Sequence, residues 1–406
     1  MHLMRGRNAA GKESGQILAL FAIMLPLLLI FMGLSIDFGL GFLTKAELGK
    51  ACDAASLAVM RNLGRGETEA TAIGNSVFAL NYNANSELNA AVPSVSISYS
   101  KDSYGEPIVN VSATAKIHTF FIGLAGFRTL NIGSYSQATR PPVILSMVLD
   151  KSGSMNDNGG NTALPPAAQD FLGYFIEGTD RLGEVSFSSI ATEDVAISQT
   201  FQRPIKRSLN RMTFGGATFA QGGLLDAQTQ VQGVSNPPPN AVKVVVFFTD
   251  GWANTNQDTL QCGGGSKLVN YGGCSPVEQA VGWCNGVSFM SPKNGSTDSC
   301  NASTFTPQDP SIANPARLNI TNISDDAIYR TEQLANQMRA QGTTIYSIGL
   351  GDKINQTYLL DLANDPHSPQ YDSNEPSGIA AFAPTASDLD TAFQQIASKI
   401  LLRLTH

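Results

Sequence analysis

Asp150, Ser152 and Ser154 stand at alternate positions near the end of the stretch VILSMVLDKSGSM, residues 143–155, with Gly153 between the serines. Three hard oxygen donors on so short a loop suit Mg2+, Mn2+ or Ca2+ rather than zinc. Asp, Ser and Gly are also ordinary turn residues, so the triplet taken alone reads as a loop. Two further stretches change that reading. Val242 to Asp250, VKVVVFFTD, ends in a carboxylate followed by Gly251, and Gly215-Gly216-Ala217-Thr218 presents one hydroxyl ahead of a helical pattern at Leu224, Leu225 and Gln228. An EF-hand loop is excluded, because Met155 stands where that loop needs glycine and Asn161 where it needs a bidentate Glu. Catalysis finds little support: His2, His118, His367 and His406 are scattered, and none neighbours a nucleophile in a recognised motif. Gly263-Gly264-Gly265-Ser266-Lys267 has the composition of a phosphate loop without its G-K-[ST] order.

The elements that must position these donors are legible as buried strands. Val143 to Leu149 is an apolar run too short for an ordinary helix and suits a fully buried parallel strand, as does Val242 to Thr249. Open α/β sheets bind ligands at the carboxyl ends of such strands. The order D-x-S-x-S, then Gly-Ala-Thr, then strand-Asp-Gly is the pattern of the metal-ion-dependent adhesion site, so Pro142 to about His406 resembles a von Willebrand factor A domain. The resemblance implies an α/β fold with a doubly wound, mostly parallel sheet. It also implies that the hydroxyls of Ser152, Ser154 and Thr218 bind the cation directly, while Asp150 and Asp250 act through water and hydrogen bonds. Mg2+ is the expected ion, with Mn2+ or Ca2+ as alternatives. Neutral donors leave the ion under-compensated and one position open, which favours a carboxylate from another protein.

Around these strands the pattern predicts a helix over Ala167 to Ile176, a strand over Gly183 to Ser188, an edge strand over Val195 to Gln199, an amphipathic helix over Asp325 to Ala340, a buried strand over Thr344 to Gly349 and a closing helix over Ala386 to Leu404. The intervening segment, residues 252–322, is rich in Gly, Asn, Ser and Pro and holds Cys262, Cys274, Cys284 and Cys300. In an exported compartment these cysteines would pair, in one of three connectivities; a zinc site lacks a C-x-x-C and a nearby His. The segment follows directly on Asp250, so it is expected to emerge at the metal edge and shape what the ion can touch.

Ahead of this domain lies an apolar N-terminus. Arg5, Arg7 and Lys12 precede Ser14 to Ile36, a run of 23 residues without a charge. At about 1.5 Å per residue that run crosses a bilayer. A signal peptide would have a shorter apolar region and a small-x-small cleavage site, and none follows Leu34, so the run reads as an uncleaved anchor. The basic residues place the N-terminus in the cytoplasm and the remainder outside it. Pro26 is expected to kink the helix. Leu48, Cys52, Ala55, Val59 and Leu63 continue it as one apolar stripe, on which Cys52 reads as a packing residue rather than a reactive thiol. A second helical segment over 67–90 and strands over Val95–Tyr99, Ile108–Ala115 and Ile132–Ala138 complete a small pilin-like α+β region. Phe120 to Phe127 between the last two strands reads as core of that sheet, with a membrane- or subunit-touching loop as the alternative.

The run from Gly15 to Pro26, GQILALFAIMLP, followed by Gly33-Leu34-Ser35-Ile36-Asp37 and the alanine-rich Lys50 to Ala58, resembles the N-terminus of TadG-like proteins of the bacterial tight-adherence (Tad) pilus systems. Such proteins often join this anchor to a C-terminal von Willebrand A domain. Leu20 stands where Tad pseudopilins carry a Glu after the processed glycine, so the anchor is expected to be retained. The domain organisation that follows is a cytoplasmic tail at 1–13, a transmembrane helix with exported extension at 14–63, the α+β region at 64–140 and the von Willebrand A domain at 141–406 with its insertion at 252–322. A net charge of -7, without a basic patch, disfavours nucleic acid. The expectation is a single-pass protein of the bacterial inner membrane whose exported domain binds a carboxylate-bearing protein in a cation-dependent way, with Tad pilus components as partners and self-association left open. A surface adhesin is the alternative, and a metal-dependent hydrolase a more distant one.

Overall fold

A computed structural model describes residues 14–82, 93–103, 105–273, 280 and 286–404. The chain forms two compact units. The first is built on α1 (Ser14–Asn62), α2 (Glu67–Asn81) and a three-stranded sheet, β1 (Ser94–Lys101), β2 (Pro107–His118) and β3 (Thr129–Thr139), in that order. The second helix therefore stops short of the expected 67–90, of which residues 83–90 lie outside the described part.

Helix α1 runs through Pro26 without interruption, so the apolar run and its extension are one element. Among the described residues it is the one helix long and apolar enough to cross a membrane. Past that run it becomes one-sided: Leu48, Cys52, Ala55 and Val59 are fully buried, and Leu63 lies half-buried in a 3-10 turn beyond the helix end. The buried stripe meets β3, where Ser56 Oγ lies 3.1 Å from Ser136 Oγ and Cys52 Sγ 3.9 Å from the Ser134 carbonyl. Burial, followed by the charge of Asp53, pushes the Cys52 thiol up to about 11. It therefore stays a protonated packing group at neutral pH.

The second unit contains a sheet of six strands flanked by helices. In chain order its elements are β4 (Val143–Asp150), α3 (Gly160–Leu172), β5 (Arg181–Phe187), β6 (Ala191–Ser198), α4 (Gln202–Leu209), α5 (Ala220–Gln232), β7 (Val242–Thr249), the insertion strands β8 (Thr255–Cys262), β9 (Gly265–Gly272), β10 (Ser288–Met290), β11 (Thr304–Phe305) and β12 (Ala316–Arg317), then α6 (Ile320–Ala340), β13 (Thr344–Leu350), α7 (Gln356–Ala363), β14 (Ala380–Ala383) and α8 (Leu389–Leu404). The main sheet has the order β14-β13-β7-β4-β5-β6 and is parallel except for the edge strand β6. Residues alternate across β4: Val143, Leu145, Met147 and Leu149 pack with α3, α4 and α8, and Ile144 and Val148 pack with α5, α6 and α7. Both faces are thus covered, which is why β4 and β7 read as unbroken apolar runs.

Several boundaries differ from the sequence expectation for local reasons. Helix α3 begins at Gly160, ahead of Pro165 and Pro166, and ends at Leu172 rather than Ile176. Helix α6 begins at Ile320 because Asn319 caps it, its side chain accepting from the Asn322 amide at 2.8 Å. The insertion is an ordered subdomain: β8 and β9 form an antiparallel hairpin, β10 adds to β9, and Leu260, Val269, Tyr271, Phe305, Ala316 and Ile323 make a small core. Cys262 pairs with Cys300 across it, whereas Cys274 and Cys284 lie outside the described residues.

One buried acid gives the sheet a pH dependence. Glu184 on β5 is fully buried, and burial, then the charge of Asp194, pushes its carboxyl up to about 8. Below about pH 4.5 folded and unfolded chains both hold this proton; between there and about pH 8 only the folded chain does, so stability falls as pH rises through that window. Glu184→Gln should remove that loss, leaving the variant on the order of 3 kcal/mol more stable than the parent at pH 8 with little difference at pH 5, read by denaturant titration of the chelated protein.

Candidate metal centre

Strand β4 lies between β5 and β7, and the chain leaves β4 toward β5 before returning to β7 on its other side. The ends of β4 and β7 are therefore the switch point of the sheet, where neighbouring loops diverge and leave a crevice. Asp150 is the last residue of β4 and Asp250 follows the last residue of β7. Both are buried, as are Ser152 and Thr218.

Each acid is held by named donors. Asp150 accepts the Ser152 amide at 2.8 Å through one oxygen and the Thr249 hydroxyl at 2.6 Å through the other. Asp250 accepts the Ser154 hydroxyl at 2.7 Å and the Asn158 side-chain amide at 2.9 Å. Ser152 and Ser154 bring their hydroxyl oxygens to 3.1 Å of each other. The third loop is fixed by main-chain bonds: Gly153 donates to the Gly216 carbonyl at 3.0 Å, and Gly215 donates to the Lys151 carbonyl at 2.8 Å. Asn254 then holds Thr218 from both sides, accepting its amide at 2.7 Å and donating to its carbonyl at 3.1 Å. Ser152, Ser154, Thr218 and Asp250 line one cavity of roughly 670 Å³, with Asp150 beneath it.

The structure thus brings all five sequence-predicted residues to one place. It adds Thr249, Asn158 and Asn254 as their hydrogen-bond partners. Asn254 was within reach of sequence reasoning as a polar residue four positions past Asp250; Asn158 and Thr249 carry no signal beyond proximity to the motif.

Two buried carboxylates this close are electrostatically unfavourable when both are charged. Burial, then the charge of Asp150, pushes Asp250 up to about 7, against the pull of the Ser154 and Asn158 hydrogen bonds. Burial likewise raises Asp150, against the hydrogen bonds from Ser152 and Thr249. A divalent cation is the counter-charge this arrangement calls for. The donor set fits one: a serine hydroxyl that donates to a carboxylate keeps its lone pairs for an ion.

The insertion supplies the far wall of the cavity. Gly272 and Gly273 at the end of β9, Ser288 and Met290 on β10, and Thr297 line it opposite the metal loops. Arg330 on α6 holds this wall in place. Its guanidinium makes two bonds to Asp258 on β8, at 3.1 and 2.8 Å, and one to Asp326 at 2.7 Å. Asn270 on β9 donates to the Ser189 carbonyl at 2.8 Å, linking the hairpin to the loop after β5.

Two family models match separate parts of the chain. The family model described as Flp pilus-assembly TadE/G-like matches residues 15–62, and that of the von Willebrand factor type A domain matches residues 145–264. The N-terminal segment is thus TadE/G-like, and it precedes a von Willebrand A domain. No curated protein matches the chain. Among solved structures, proximal thread matrix protein 1 from the mussel byssus, with a zinc-occupied MIDAS motif, is similar at 16% identity over 64% of this chain and 46% of that one, with a TM-score of 0.38. The pilus adhesin SpaC from Lactobacillus rhamnosus GG is similar at 16% identity over 76% of this chain and 35% of that one, with a TM-score of 0.42. The vWF domain of the type V pili tip protein Mfa5 from Porphyromonas gingivalis is similar at 16% identity over 66% of this chain and 98% of that one, with a TM-score of 0.42. The chain spans less than half the length of the first two.

Two measurements follow from the geometry. Because protons compete for Asp250, apparent affinity for Mg2+ or Mn2+ should rise as pH increases through about 7, with protons released on binding, as calorimetry in buffers of different ionisation enthalpy would record. Gly216 has a φ of +91°, and a Cβ there would lie 2.6 Å from Ser189 Oγ. Gly216→Ala should cost about 1–3 kcal/mol in a melt and weaken the ion-dependent part of the stability.

Proposed function

We propose that this chain is a membrane-anchored, cation-dependent protein-binding subunit acting in the assembly or anchoring of a Tad (Flp) pilus. The observation that carries the reading is the meeting of Ser152, Ser154, Thr218, Asp150 and Asp250 at the switch point of the sheet, on a chain whose N-terminal segment matches the Tad family. Ser152, Ser154 and Thr218 would hold Mg2+ directly, with Asp150 and Asp250 acting through water and through the hydroxyl protons they accept. The bound ion supplies a positive centre that a carboxylate from another protein completes. The insertion wall then selects which carboxylate-bearing segment fits the cavity.

The apolar run of α1 is read as a single pass across the bacterial inner membrane, with the basic residues Arg5, Arg7 and Lys12 on the cytoplasmic side and the von Willebrand A domain exported. The domain organisation proposed is 1–13, 14–63, 64–140 and 141–406. The partners proposed are Tad pilus components, with self-association as a further contact. Catalysis is not proposed: the site offers hydroxyls and acids engaged in positioning, without a histidine.

Melting of the detergent-solubilised full chain, stripped by chelator and then supplied with Mg2+ or Mn2+, tests the site. Saturating ion should raise Tm by about 5–10 °C, the shift that a ligand at a hundredfold excess over its Kd confers. Asp150→Ala and Thr218→Ala should lose that shift, and an unchanged shift in both would end the metal reading. Cross-linking from membranes, with and without chelator, should recover pilus secretion components only when the ion is present. Recovery of the protein on sheared pili or the cell surface instead would favour the adhesin reading.

A further inference from the structure

The segment between β2 and β3, residues 119–128, reads from sequence as core of the small sheet, but the structure leaves its aromatic residues outside that core. Phe120, Phe121 and Phe127 are 53%, 42% and 66% exposed. The segment is nevertheless built: Thr119 donates to the Arg128 carbonyl at 3.2 Å and closes the base, a 3-10 turn spans Ile122–Ala125, and Gly126 takes a φ of +99° to turn the chain back.

Two contacts fix where this loop sits along α1. Asp37, the first charged residue after the uncharged run, is buried, and its carboxylate accepts the amides of Phe120 at 2.9 Å, Phe121 at 2.9 Å and Ile122 at 2.7 Å. Phe121 lies against Gly33, inside that run: a Cβ on Gly33 would fall 2.3 Å from the ring. The loop therefore overlaps the last turn of the run. Asp37 and the three amides satisfy one another, so none of them requires water at that depth. On α1 itself Phe31, Met32 and Phe38 are exposed at the same level. Asp37 apart, which is buried, the charges flanking the loop on its own strands are basic. Residues 108–139 contain no acid, Lys116 and His118 are exposed at the end of β2, and Arg128 is exposed at the loop base.

We propose that the loop at residues 119–128 is a second membrane-contacting element, seating Phe120 and Phe127 at the boundary of headgroups and acyl chains in the leaflet where α1 exits, with Lys116 and Arg128 facing anionic headgroups. Aromatic tips backed by basic residues are the composition that such a boundary favours. The bilayer is the occupant because the exposed ring surface is continuous with the apolar run that enters it. This rests on reading residues 14–36 as a membrane span.

Lipid quenching of introduced tryptophans tests it. The full chain is reconstituted in vesicles of phosphatidylethanolamine and phosphatidylglycerol, with and without lipid brominated high on the acyl chain, and the signal of wild-type Trp252 and Trp283 is subtracted. Phe127→Trp and Phe120→Trp should each show at least about twofold more quenching than Tyr135→Trp, because bromine quenches only rings that reach the acyl boundary. Tyr135 is exposed between residues that meet Cys52 and Ser56, roughly 24 Å further along α1. Phe21→Trp reports the span itself. Quenching at Phe21→Trp with only the Tyr135→Trp level at 120 and 127 overturns the loop proposal and leaves the span. A blue-shifted but unquenched signal at 127 places the ring against protein and overturns it too. An unquenched Phe21→Trp removes the span and the proposal together.

Discussion

Two acids at the ends of adjacent parallel strands set the terms for the second unit. Parallel pairing of β4 with β7 puts Asp150 and Asp250 at one edge whatever the loops do, and both carboxylates are buried there. Carboxylates in such a place need hydrogen bonds and a counter-charge. The serine and threonine hydroxyls, the asparagines and the glycine-rich loop can all be understood as answers to that need. Thr249 and Ser152 serve Asp150, Ser154 and Asn158 serve Asp250, and the hydroxyls retain lone pairs for an ion.

The insertion is held by the same kind of physics with the opposite outcome. Arg330, buried on α6, pairs with Asp326 on the same helix and with Asp258 on β8, and Tyr271 donates to Asp258 at 2.6 Å. Here one guanidinium lies beside both carboxylates, and neutral donors complete them: Asn256 and the main-chain amides of Gln308 and Asp309 donate to Asp326.

How much of this was legible in the sequence depended on how local each signal was. The runs of β4 and β7 announce buried strands, and the spacing of Asp150, Ser152 and Ser154 is fixed by one loop, so the fold and the meeting of these side chains could both be read. Asn158, Asn254 and Thr249 could not, because they act on groups brought near by folding. Helix α6 begins earlier than its apolar periodicity because its start is set by the Asn319 side chain. The insertion hid its architecture in polar sequence: its core residues are dispersed, and two of its strands are only two residues long. The strand β14 went unread for a similar reason, being four residues of alanine and phenylalanine at a sheet edge. Among the cysteines, pairing of Cys262 with Cys300 follows from the hairpin's end approaching a distant loop, a relation no spacing rule encodes. The exposed aromatics at residues 120–127 were misread as core because apolar composition alone does not say which apolar medium it faces.

The chain enters the large domain at Pro141-Pro142 and reaches the candidate ion site at the opposite end of the very next strand. A ligand pulled away from that site would therefore load β4 along its own axis. The hydrogen bonds to β5 and β7 run across that direction on both sides, over registers extending from Val143 to Asp150. Tension applied this way shears the two ladders together rather than opening them one bond at a time, so the strand that carries the site is also the one best braced against traction.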